Sequence, residues 1–211
     1  APWWASTLSA GDGVDDSRSQ TAFGDFTFDT TQRQYTWQND FTLPGDAGAL
    51  TLGIERREER LATDAAFAVT ARDTDAVFGV WRARFGDQAL QANLRRDDSS
   101  QYGGETTGAV AWGWRFAPQW RVTAGYGTAF KAPTFNDLYY PGFSNPDLVP
   151  ETSTSVEAGV YATASGDAVR VEARAIGYRN RVQRLIVFGC DADFNCRPDN
   201  VDRATLAGVT L

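Results

Sequence analysis

Apolar and polar residues alternate along most of this chain. In QYTWQNDFTL, Tyr35, Trp37, Asn39, Phe41 and Leu43 fall on one side, and Gln34, Thr36, Gln38, Asp40 and Thr42 on the other. A period of two marks a β-strand with unlike faces. Leu50, Leu52 and Ile54 repeat it against Thr51, Gly53, Glu55 and Arg57. So do Val77 to Phe85, Leu90 to Arg95, Ala109 to Phe116, Val122 to Thr128, Ser155 to Val160 and Val169 to Ala175. A first strand is expected over Trp3 to Leu8. A polar loop to about Thr31 should follow, because Gly11, Gly13, Asp15, Asp16 and Ser17 are turn formers. Phe23, Phe26 and Phe28 either extend strands or fill that loop. Further loops are expected around Thr63 to Asp75 and from Asp97 to Glu105, and a last strand from about Val201. Apolar residues between Glu55 and Ala66 do not recur at helical spacing, so that segment reads as strand. The pattern predicts about ten strands and no helix.

The connections alternate in length. Pro44–Gly48, Gly86–Asp87, Ala117–Gln119 and Ala164–Asp167 read as short turns, and the segments between them read as long loops. Outer-membrane barrels show this asymmetry, with short periplasmic turns and long extracellular loops. Phe41, Phe85, Trp114, Phe116 and Trp120 gather near the short turns, as aromatic girdles do at a membrane boundary. A soluble sandwich also alternates, so it is the rhythm of the turns that favours a membrane barrel. No stretch approaches the ~18 apolar residues of a membrane helix, whereas a barrel strand needs only about 9–11 residues.

The longest connection, Ala132 to Pro150, follows a strand that Pro133 ends, because proline has no N–H to give. Pro141, Pro146 and Pro150 keep it irregular, and it carries Phe135, Tyr139, Tyr140 and Phe143. A loop of that length and aromatic content reads as functional.

FKAPTFNDLYYPGFSNPDLVPETS, Phe130 to Ser153, resembles the TonB-dependent outer-membrane receptors. NPDLVPE (Asn145 to Glu151) is similar to the NP-x-L-x-PE signature of that superfamily. GTAFKAPTFNDLY, GYRNRVQRLIVF and NVDRATLAGV resemble its vitamin B12 (cobalamin) receptor branch. The resemblance implies an all-β, antiparallel up-and-down transmembrane β-barrel of ~22 strands with a plug domain folded inside. Residues 1–211 would then be an internal part of the barrel wall, with plug, signal peptide and C-terminal strands absent. It further implies the bacterial outer membrane, contact with its lipid, energy from the TonB complex through the plug, and uptake of cobalamin. A ferric siderophore or other metal chelate is the alternative cargo, and a structural or adhesive barrel a more distant one. A self-contained ten-stranded barrel is the other architecture, but the ten-stranded outer-membrane proteases use a catalytic His. The candidate ligand-binding residues are Phe135, Asn136, Asp137, Tyr139, Tyr140, Phe143 and Asn145, since aromatic rings cover apolar ligand surface and amides give direction. The same residues also read as packing and turn residues, and NPDLVPE as a signature of the fold. Arg82, Arg84, Asn93, Arg95, Arg121 and Glu157 are expected to face the lumen.

Composition adds exclusions. The chain of 211 residues has no His and no Met. Without His there is no Ser-His or Cys-His pair and no His-based zinc site, and no catalytic constellation or resident cofactor is expected. A net charge of −7 disfavours a nucleic-acid partner. Cys190 and Cys196 are spaced wrongly for a CxxC motif and are expected to close a local disulfide. Asp191, Asp193 and Asn195 place oxygen donors at alternate positions, as calcium loops do, but the Gly and Glu of an EF-hand register are missing. No metal is therefore expected there.

Overall fold

A computed structural model describes residues 3–21, 24–165 and 169–211. Among these described residues ten strands form one sheet in sequence order, each antiparallel to the next. They are β1 (Trp4–Thr21), β2 (Gly24–Thr42), β3 (Ala49–Thr63), β4 (Ala71–Phe85), β5 (Gln88–Ser99), β6 (Gly103–Ala117), β7 (Trp120–Lys131), β8 (Glu151–Ser165), β9 (Arg170–Cys190) and β10 (Cys196–Thr210). β1 and β10 are the two edges of the order.

Register gives each face its chemistry. Directly opposed residues share a face. Trp37 opposes Ile54, which opposes Val77; Val110 opposes Tyr126, which opposes Val156. All six rings and aliphatic chains on this face are exposed. The other face carries Glu55, Arg57 and Arg95, with Arg82 opposite Gln91 and Gly125 opposite Glu157. All six residues expected to face a lumen lie on this polar face. At one end of the strands, Trp3 stands 6.4 Å from Trp4 and 6.3 Å from Phe41, making a chain of rings. Trp112, Trp114 and Phe116 make a second chain, and Trp81 with Phe85 a third. Trp81 donates its indole N–H to the Ala47 carbonyl, so the ring is amphipathic in place.

Several expected loops are strands. The segment read as a polar loop from Leu8 to Thr31 is a tall hairpin, paired from Trp4 opposite Phe41 to Thr21 opposite Gly24. Turn-forming residues yield here because β2 is also paired to β3 as far as Phe28, and a ladder satisfies every backbone group in water or out of it. The loop expected from Thr63 to Asp75 shrinks to residues 64–70, and that from Asp97 to Glu105 to residues 100–102. β10 starts at Cys196, not near Val201. The asymmetry between the two ends is therefore real, but it comes from how far paired strands reach past the apolar zone. The turn expected at Ala164–Asp167 lies in part outside the described residues. The turn at Pro44–Gly48 contains a short 3-10 helix, Gly45–Ala47. Gly48 has φ +85°, and a Cβ there would collide with the carbonyl of Arg82.

A charge on the apolar face should be costly. Val110→Arg is expected to destabilise by about 2–4 kcal/mol if that face meets lipid at mid-depth. Ala111→Arg, on the polar face, should cost much less. Urea midpoints of the two variants refolded into vesicles check this, and equal midpoints would refute the assignment of faces.

Candidate functional site

The connection between β7 and β8 is an ordered lid. Contrary to the expectation of no helix, it opens with α1 (Phe135–Tyr139). Thr134 caps it: its hydroxyl accepts from the Asp137 amide at 3.1 Å, and the Asp137 carboxylate accepts from the Thr134 amide at 2.9 Å. This reciprocal pair is a capping box, and T-x-x-D in the sequence was its available signal.

The second half of the loop is tethered. Asn145 is buried; its Nδ2 donates to the Pro198 carbonyl on β10 at 3.2 Å, and its Oδ1 accepts from the Asp147 amide at 3.1 Å. Asn200 on β10 holds both backbone groups of Val149, at 3.0 and 3.1 Å. Leu148 and Pro150 are buried, and Glu151 accepts from the Ile186 amide on β9 at 2.9 Å and from Lys131 Nζ at 3.3 Å. At the other end, Arg72 reaches across to the Pro133 carbonyl at 2.9 Å, with its guanidinium 5.1 Å from the Phe135 ring.

These ties leave an aromatic row open. Phe28 on β2 meets Phe67, Phe67 meets Tyr140 at 5.8 Å edge-on, and Tyr140 meets Phe143 at 6.5 Å. Tyr140 and Phe143 remain 41% and 53% exposed, so the row presents ring surface outward although its members support each other. Beneath it, the polar face carries a ladder of charge. Arg95 donates to Glu55 at 2.7 Å and to Asp97 at 2.8 Å; Gln34 adds a 2.8 Å bond to Glu55; Arg72 holds Glu59 at 2.8 and 3.0 Å. A polar cleft of about 520 Å³ lies between this ladder and the loop base at Phe130 and Ala132.

Residues 2–211 match the family described as TonB dependent receptor-like, beta-barrel. The chain belongs to that family. The vitamin B12 transporter BtuB of Vibrio cholerae is 33% identical over 172 residues, 82% of this chain and 27% of the relative. That of Photobacterium profundum is 33% identical over 180 residues, 83% of this chain and 29% of the relative. The chain thus spans under a third of the curated relatives it matches. Among solved structures, the siderophore receptor PirA of Pseudomonas aeruginosa aligns with TM-score 0.72 and 20% identity, over 98% of this chain and 46% of that one. A variant of the ferric enterobactin receptor PfeA from the same organism aligns with TM-score 0.73 and 17% identity, over 97% and 37%. These two establish the fold. The sheet is therefore a length of TonB-dependent receptor barrel wall in the outer membrane, and the family consists of receptors and transporters, not enzymes.

Within this receptor wall the seven candidate residues separate by role. Phe135 and Asn145 are buried and hold the loop. Asp137 is engaged in the helix cap. Tyr139 is half-buried; Asn136, Tyr140 and Phe143 are exposed at the surface of the loop. Phe28 and Phe67, in other segments, complete the aromatic row. Alternation alone did not mark them, because their neighbours lie far away in sequence.

Cys190 and Cys196 are joined by a disulfide that closes residues 191–195. The Asp191 carboxylate ties the turn together: it accepts from the Asn195 side chain and from the amides of Asp193 and Asn195. The Asn195 side-chain bond, then its amide, hold the Asp191 carboxyl below its ordinary value. The folded-state value lies below the unfolded one, so this tie is complete above about pH 4 and is lost as pH falls through the lowered value. A carbon-detected NMR titration should show Asp191 titrating below the ordinary aspartate value; titration at or above that value would contradict the turn.

Proposed function

We propose that the full-length receptor takes up vitamin B12 across the outer membrane, driven through a plug domain by the TonB complex. The observation that carries this is the 33% identity to vitamin B12 transporters over four-fifths of the chain. The aromatic row supports it, because exposed rings at a barrel mouth cover the apolar surface of a large ligand, and Asn136 adds an amide beside them. The lid captures ligand and the wall below conducts it. The chain itself holds cargo and cleaves nothing.

Equilibrium binding to the full-length receptor tests this. Cyanocobalamin should bind saturably and resist competition by ferric enterobactin. The paired change Tyr140→Ala and Phe143→Ala should weaken binding about tenfold, from roughly 1.5 kcal/mol of lost ring contact. Saturable binding of the ferric siderophore, with none of cyanocobalamin, would overturn the choice of cargo in favour of the metal-chelate reading.

A further inference from the structure

Among the described residues, the polar face has a cluster of buried side chains that can donate hydrogen bonds and have no partner. Both oxygens of Glu59 accept from Arg72, which leaves Arg57 at 3.6 Å from that carboxylate. Nε of Arg57 is buried without a hydrogen-bond partner among the described residues, and so are Thr74 Oγ1, Gln101 Nε2 and Tyr102 Oη. They sit together. Arg57 opposes Thr74 across β3 and β4, and Thr74 opposes Ser99, whose hydroxyl accepts from the Gln101 amide. Buried polar groups are ordinarily partnered, so a cluster of unpartnered groups that can all donate marks a place where something accepts from them.

Two of these donors, Arg57 and Tyr102, line the polar cleft below the loop, together with Glu55, Arg95, Asp97 and Phe130. The charge in that lining selects the occupant. Two guanidinium groups meet two carboxylates, so the cleft is neutral before anything enters. Glu55 and Asp97 are already engaged by Arg95. An oxyanion would lie beside both carboxylates and be repelled. A neutral carbonyl takes the same donors without that repulsion.

We propose that Arg57 and Tyr102 form a subsite for an amide carbonyl, entered from the mouth beneath the loop. Two sources carry that group. One is the set of primary amides on the rim of a corrinoid, a source that rests on the uptake reading above. The other is peptide backbone occupying the lumen of the full-length receptor.

Tyr102→Phe in the full-length receptor separates them. The ring keeps its place 5.7 Å from Phe130, and only a hydroxyl with no partner among the described residues is lost. The wall alone should tolerate that change. If ligand supplies the carbonyl, the cyanocobalamin dissociation constant should rise about fivefold while ligand-free melting stays put. If lumenal backbone supplies it, ligand-free melting should fall by a few degrees while affinity holds. Arg57→Gln should move the same readout in the same direction. Either shift supports the subsite. It is overturned if Tyr102→Phe leaves both readouts unchanged, even where Arg57→Gln lowers melting, since that pattern is the loss of Glu59 pairing alone. A wild-type receptor that binds no cyanocobalamin would defeat the uptake reading, and the melting comparison would still decide the subsite.

Discussion

Asn145→Leu is expected to release the lid. Leucine is close to asparagine in size, so the site stays filled, but the buried Pro198 carbonyl and the part-buried Asp147 amide lose their partner. Stranding the one buried carbonyl costs about 2 kcal/mol, and the part-buried amide adds less because water reaches it. That cost falls on the docking of the loop rather than on the sheet, whose ladders are untouched. Residues 132–150 of the full-length receptor should then be cut by proteases that spare the wild type, and ligand capture should weaken by more than about tenfold. Asn145→Asp keeps the acceptor for Asp147 but sets a buried carboxylate against the Pro198 carbonyl, so it should release the loop at least as far as leucine does. Limited proteolysis followed by mass spectrometry reads the result directly. A loop equally resistant in all three proteins would mean that Asn145 is incidental.

The second large effect is expected below the lid. Arg95 is the shared partner of Glu55 and Asp97, whose side chains are 14% and 3% exposed. Arg95→Leu takes the shared cation from two carboxylates, leaving Glu55 its bonds from Gln34 and Thr36, with Arg57 lining the same cleft. Removing one member of a buried ionic cluster typically costs about 3–5 kcal/mol, and partial solvent access here argues for the lower end. Changing all three, Arg95→Leu with Glu55→Gln and Asp97→Asn, should recover most of the loss, because the unpaired charges go with their partner. Midpoints of urea unfolding for the single and triple variants decide it. A single variant as stable as wild type would show that water already screens the ladder.

Much of the sheet was legible because alternation is local. Tyr35, Trp37 and Phe41 declare their face without reference to any other segment, and the strands near the apolar zone lie where the pattern places them. What failed was the reading of Gly11 to Asp16 as loop. Turn propensity is weak beside a ladder with partners on its flank, and the partner, β3, could not be inferred from those residues. The loop was legible in a different way. Asn145 and Glu151 stood out in the sequence, but their work as ties to β9 and β10 depends on Pro198 and Ile186, more than thirty residues on. Phe67 was missed for the same reason: it matters only through Phe28 and Tyr140. Thr134 and Asp137, by contrast, were a readable capping pair.

Neighbouring side chains along one strand should meet different solvents. Single nitroxide labels from Ala109 to Gly113 of the full-length receptor in vesicles measure this through collision with oxygen and with a water-soluble nickel chelate. The labels at Val110 and Trp112 should favour oxygen, and those at Ala109, Ala111 and Gly113 should favour nickel or be shielded from both. A smooth gradient along the strand, or nickel dominant at Val110 and Trp112, would contradict the account of a wall with lipid on one side and an aqueous lumen on the other.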